Sequence, residues 1–197
     1  MLSKTQTLAS KIDLKSHEIL HSSIPALNKF LESRIHYGQL CEWGAPWGQG
    51  VREVITSFLP SIPSVWKLWV HSDEKTIINA PAWEARGINM QRMRFAYCTA
   101  PLEELKPIFL DPFFKVIILD NPKLSYDDCA FLAQRARENQ QAIFILRNYF
   151  LSNRKGNVWA KVRLNCWHDQ LSDQFYIRPI RGLSPRQLCF KVRETSQ

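Results

Sequence analysis

The chain has 197 residues, of which 45% are apolar; this suffices for the core of one domain, and no run approaches the length of a membrane span. Lys and Arg number 26 against 18 Asp and Glu, a net charge of +8 that favours a polyanion or an acidic partner. The five cysteines, Cys41, Cys98, Cys129, Cys166 and Cys189, are widely spaced and form no C-x-x-C pair, which argues against zinc and disulfides and for a reducing compartment.

Residues 1–21 are polar and mixed in charge, with no apolar leader segment; an arm or a weak amphipathic helix is expected, in a cytoplasmic protein. A single domain is expected over 22–197. It opens with a helix over 22–37, with Ser22 or Ser23 as cap, Pro25 in the first turn, and Leu27, Phe30, Leu31 and Ile35 on the apolar face. Tyr37-Gly38 breaks it. QLCEW (39–43) suits a buried strand, and Val51, Val54, Ile55, Phe58 and Leu59 recur at helical spacing until Pro60.

Between that strand and helix lies a glycine loop, residues 44–52, the place of a phosphate-binding P-loop. A working P-loop needs G-x-x-x-x-G-K-[ST], because backbone N–H groups cradle phosphates, the lysine reaches the outer oxygens and the hydroxyl holds Mg²⁺. Counting from Gly44, the second glycine position holds Gln49, the lysine position Gly50 and the hydroxyl position Val51. One inserted residue makes Gly50 the second glycine, but Val51 and Arg52 then follow. Neither register has the lysine or the hydroxyl. Gly48 and Trp47 complete the loop; Trp47 either anchors an interface or folds over the site.

Further strands are expected at 65–71, 93–98, 114–120 and 142–148, and further helices at 80–87, 101–110 and 125–140. Ser125 caps the last helix, with Asp127 and Asp128 in its first turn, and Cys129, Leu132, Ala133 and Ala136 line its apolar side. Apolar strands alternating with helices predict an α/β fold: a mostly parallel sheet with helices on both faces. Residues 159–168, 174–180 and 186–192 are strand-like with no helices between them, which predicts a C-terminal antiparallel extension.

Laid out in this order, the chain resembles the RecA-type recombinase core over residues 22–192. Residues 22–35 followed by HYGQLCEWGAPWGQG resemble the opening helix, strand and P-loop, and WEARGINMQRMRFAYC a following helix and strand. FKVIILD resembles the Walker B strand, with Asp120 at the metal-side position. AIFILRNYFLSNRKGNVWAKVRLNCW resembles the strand, DNA-contacting loop and antiparallel strand that close the core. The degenerate P-loop, the absence of a long oligomerisation arm or C-terminal domain, and the ending YIRPIRGLSPRQLCF narrow the resemblance to ImuA-type accessory factors of inducible translesion synthesis.

That resemblance implies a catalytically degenerate RecA-like protein of the bacterial SOS response and DNA repair, without ATPase activity and without a cofactor. It would act through contacts with RecA and a Y-family-like polymerase subunit. Arg147, Arg154, Lys155 and Lys161 would sit where a recombinase grips single-stranded DNA, with Tyr149, Phe150 or Trp159 to stack on bases; a turn with solvated charges is the alternative. Asp120 either helps hold Mg²⁺ or shapes the turn into Asn121-Pro122, and Asp73 and Glu74 stand near the place of a catalytic glutamate or form an exposed acidic loop. Two rival readings are a SulA-like division inhibitor that binds FtsZ and a divergent nucleotide-binding ATPase. The five histidines show no ligand spacing, so no metal site is expected.

Overall fold

A computed structural model describes residues 18–154 and 156–191. The chain runs through α1 (Pro25–Leu31), β1 (Gln39–Gly44), α2 (Val51–Thr56), β2 (Trp66–His71), α3 (Ala80–Glu84) and β3 (Met93–Tyr97). It continues through α4 (Pro101–Glu104), α5 (Lys106–Leu110), β4 (Phe114–Asp120), α6 (Tyr126–Asn139) and β5 (Ala142–Arg147), and ends in β6 (Val162–Asp169), β7 (Gln174–Arg181) and β8 (Leu188–Phe190). The strands form one sheet in the order β3-β2-β4-β5-β1-β6-β7-β8.

The α/β class, the mostly parallel sheet and the antiparallel extension follow the sequence pattern. The extension is shorter than expected. β6 pairs parallel with β1, with Cys41 beside Val162 and Gly44 beside Asn165, and only β7 and β8 introduce antiparallel pairing. Val162–Asn165 therefore join the parallel core, while Arg163–Asp169 also open the antiparallel extension by pairing with β7. β1 lies between β5 and β6, so the chain between Arg147 and Val162 must cross it, and does so without a helix.

Strands buried on both faces carry continuous apolar runs whose alternate residues serve opposite layers. Val116 and Ile118 of β4, with Phe144 of β5 and Trp43 of β1, join the layer that holds α1 and α2 through Leu27, Phe30, Val54 and Ile55. Ile117, Leu119, Ile143, Ile145 and Leu40 join the layer of α5 and α6, through Phe109, Cys129, Leu132, Ala133 and Ala136. Glu42 alternates with Trp43 and shares the α6 side of β1 with Leu40, a polar residue in an apolar row.

Two helices differ from expectation. α1 is cut short at Leu31 because Glu32 and Ser33 take positive φ (49° and 61°), after which Leu20 N–H bonds the Ile35 carbonyl at 2.8 Å and draws the chain out extended. Neither serine caps α1. Ile24 is its N-cap, and Ser22 instead exchanges backbone hydrogen bonds with the Asn28 amide at 2.7 and 2.8 Å. The expected 101–110 helix splits into α4 and α5 at Leu105, with Pro107 in the first turn of α5. α6 carries a full capping box: Ser125 Oγ accepts from Asp128 N–H, and the Asp128 carboxylate accepts from Ser125 N–H.

The expected N-terminal arm lies mostly outside the described residues. Its last part belongs to the fold, since Leu20 is buried and Ile19 bridges His36. Among the described residues no helix is long and apolar enough to cross a membrane.

Candidate functional site

β1 delivers the chain to the glycine loop at the C-terminal edge of the sheet, beside the ends of β4 and β5. Gly44, the last residue of β1, has no room for a side chain: a Cβ there would lie 2.6 Å from the Tyr149 carbonyl oxygen and 2.7 Å from Asn165 Oδ1. Gly50, the N-cap of α2, stands at φ +76°, and a Cβ on it would strike the Phe175 ring. Gly48 has φ +78° and open space around it. Gln49 and Val51 complete the turn, with Gln49 N–H bonded to the Pro46 carbonyl at 3.2 Å and Val51 packed partly into the core. The loop lines a cleft of about 240 Å³ with Asp120, Leu146, Arg147 and Asn148.

Arg52 faces into this cleft. Its Nε donates to Asp120 Oδ2 at 2.6 Å and its Nη2 to Oδ1 at 3.2 Å, a two-pronged ion pair at the end of β4. The Trp69 indole N–H also points at Oδ2, at 3.3 Å. The half-exposed Trp47 ring packs on the guanidinium, 4.0 Å from the ring centroid. Both carboxylate oxygens of Asp120 are thus engaged by protein donors. Asn121, at φ 55°, turns the chain after β4, while the Asp120 side chain holds Arg52. Among the described residues no cluster of three or more His, Cys, Asp or Glu could hold a metal ion. Asp73 turns its carboxylate back to the Lys75 N–H at 3.0 Å, and Glu74 is exposed beside it.

The expected nucleic-acid residues divide. Arg154 and Lys161 are exposed, and Lys155 lies outside the described residues. Arg147 is not a surface cation: its Nε binds Glu42 Oε1 at 3.0 Å and its Nη1 the Pro122 carbonyl at 3.0 Å. Arg163, on β6 directly beside Glu42, binds the other carboxylate oxygen at 2.9 Å and the Ser152 carbonyl at 3.2 Å. The sequence reading missed Glu42 and Arg163. The available signal was a charged residue at an inward-facing position of a buried strand, which burial tolerates only with a partner.

The crossover is held from below by Asn165, fully buried, whose amide exchanges hydrogen bonds with Leu151 N–H (2.7 Å) and carbonyl (3.0 Å). That anchor leaves Tyr149, Phe150 and Trp159 exposed. Phe150 meets Trp167 edge-on at 6.2 Å, and Trp167 stacks on Tyr176 at 5.4 Å, near the exposed Arg178. The result is a band of rings with arginines beside it, chemistry suited to stacking on bases and meeting phosphates. The cysteines are free; Cys41, Cys98, Cys129 and Cys166 are buried, and burial pushes the Cys129 thiol up to about 11. No protein-family model matches this chain, and no curated protein matches it either.

Proposed function

We propose that this chain is a RecA-like, catalytically degenerate accessory protein of the DNA-damage response, of the ImuA type, working in the cytoplasm beside RecA and a Y-family-like polymerase subunit. The observation that supports the reading is the Arg52–Asp120 pair in the mouth of the glycine loop. Phosphoryl transfer needs a cation free to meet the outer phosphate oxygens and a carboxylate free to help hold Mg²⁺. Here the cation and the carboxylate satisfy each other, with the Trp47 ring packed on the cation. The chain keeps the glycine turn as architecture and has no ATPase activity.

Its work is then contact. The aromatic band and the basic residues of the crossover offer a surface for single-stranded DNA, and a degenerate protomer docks on a recombinase filament through surfaces that protomers use on one another. The test is direct binding of the purified chain to immobilised RecA, with and without single-stranded DNA, and to FtsZ as the rival partner. Binding to RecA supports the proposal, and failure to bind it with or without single-stranded DNA counts against it. Binding to FtsZ alone replaces it with the division-inhibitor reading.

A further inference from the structure

We propose that the cavity between residues 149–152 and 156–157 of the crossover and the start of α6 binds a compact phosphate carried on a flat ring, an aryl or nucleoside monophosphate. The cavity has a volume of about 310 Å³ and lies on the α6 side of β1, where Glu42, Arg147 and Arg163 line it. Two guanidiniums share one carboxylate there, so one positive charge is left over in a largely buried place; the Arg163 side chain is 6% exposed. Each arginine is also fixed by a backbone carbonyl, Pro122 for Arg147 and Ser152 for Arg163, so the charge is held in position before any ligand arrives.

A second, independent observation concerns Asn157, which is among the residues lining this cavity. Asn157 is 8% exposed, its Oδ1 accepts from Trp159 N–H at 3.0 Å, and its buried Nδ2 has no hydrogen-bond partner among the described residues. A buried donor without an acceptor is costly, and a phosphate oxygen would satisfy it. Of the opposing charges, both Glu42 oxygens are taken by arginines, whereas Asp128, in the first turn of α6, accepts from Ser125 N–H and still carries its charge near Cys129. Gly156 leaves room for the charge, since any Cβ there would strike the Arg163 guanidinium. Exposed Tyr126, Tyr149 and Phe150 line the same cavity and supply faces for a ring. The inference does not need the closed glycine loop, since the two cavities share only Arg147 in their lining, although Tyr149 and Phe150 also belong to the aromatic band proposed for single-stranded DNA.

The full chain is titrated with thymidine monophosphate, thymidine and inorganic phosphate at fixed ionic strength, following tryptophan emission; Trp159 stands 5.7 Å from Tyr126. Saturable binding of the monophosphate with a dissociation constant of about 1 mM or tighter is expected, with thymidine at least ~10-fold weaker. Asn157→Asp keeps the acceptor for Trp159 and replaces the free donor by an anion, and should weaken the monophosphate at least ~10-fold at unchanged melting temperature. Tyr126→Ala, on an exposed side chain, should weaken the monophosphate and leave inorganic phosphate unchanged. An end-phosphorylated oligothymidylate that outcompetes its unphosphorylated form assigns the phosphate to a strand end, and equal competition assigns it to a free nucleotide. No saturation by the monophosphate, or thymidine binding as well as its phosphate, overturns the proposal; so does unchanged monophosphate binding in both variants.

Discussion

Removing either half of the Arg52–Asp120 pair should destabilise the fold, and removing both should cost little more than removing one. Asp120→Ala deletes the acceptor for two guanidinium bonds and for the indole N–H of Trp69, which is fully buried. An orphaned buried donor costs about 1–3 kcal/mol. Arg52 is 33% exposed and returns to water cheaply, so the expected loss is about 2–3 kcal/mol, most of it from Trp69. Arg52→Ala leaves a carboxylate only 5% exposed with Trp69 as its remaining side-chain donor. Breaking a buried pair costs about 3–5 kcal/mol, and water entering the opened cleft reduces this to about 2 kcal/mol. In an Asp120→Ala background the arginine keeps only its contact with the Trp47 ring, worth about 0.5–1 kcal/mol, so the double variant should lie within about 1 kcal/mol of Asp120→Ala. The coupling is then about 1–1.5 kcal/mol, outside the ~0.5 kcal/mol scatter of independent sites. Urea unfolding of the four proteins, with m-values compared to guard against changes in the unfolded state, measures it. Additive losses would show that the two side chains do not depend on each other, and the account of the closed cleft would fail.

Other outcomes follow from the same structure. Lys67 is fully buried, and burial first, then the Arg92 charge, pushes its ammonium down to about 8 from 10.5. The unfolded chain holds that proton more tightly, so wild-type stability should rise with pH between those values. Lys67→Met should be more stable by about 2–3 kcal/mol below pH 8, with the gain gone by pH 10.5; a gain independent of pH would place its origin elsewhere. Gly50→Ala meets both a positive φ and the Phe175 ring, and a loss of about 2–3 kcal/mol in chemical denaturation is expected. Arg154→Glu should weaken single-stranded DNA binding and flatten its dependence on salt; an unchanged salt slope would remove the crossover from the DNA surface. Cys189 is exposed and the other four thiols are buried, so a thiol reagent should modify one cysteine in the native protein and five after unfolding.

The sequence made the scaffold legible because its signals are local. The apolar run of Phe114–Asp120 and the Ser125 cap with Asp128 three residues on each state their element without help from the rest of the chain. The direction of β6 was not legible. Periodicity marks Val162–Asp169 as a strand, but its parallel pairing with β1 depends on a crossover that has no helix to announce it. The end of α1 was not legible either: Glu32 and Ser33 take positive φ, which neither residue type announces.

At the site, the missing lysine and hydroxyl could be read by counting, and Asp120 could be placed at the end of its strand. That Arg52 would turn inward could not, since its partner stands 68 residues away. The resemblance places Arg147 at a nucleic-acid contact, but its partner Glu42 lies 105 residues upstream. Long-range ion pairs carry no periodicity, and a lone buried charge in a strand is their only trace.

The most direct test of the account is phosphate release from Mg-ATP by the purified chain, alone and with RecA filaments on single-stranded DNA, beside the Asp120→Ala variant. No release above that of the filament itself, with wild type and variant indistinguishable, is the predicted result. Magnesium-dependent turnover by the chain alone that disappears in Asp120→Ala would show that the carboxylate leaves Arg52 to work on a nucleotide, and would contradict the central claim.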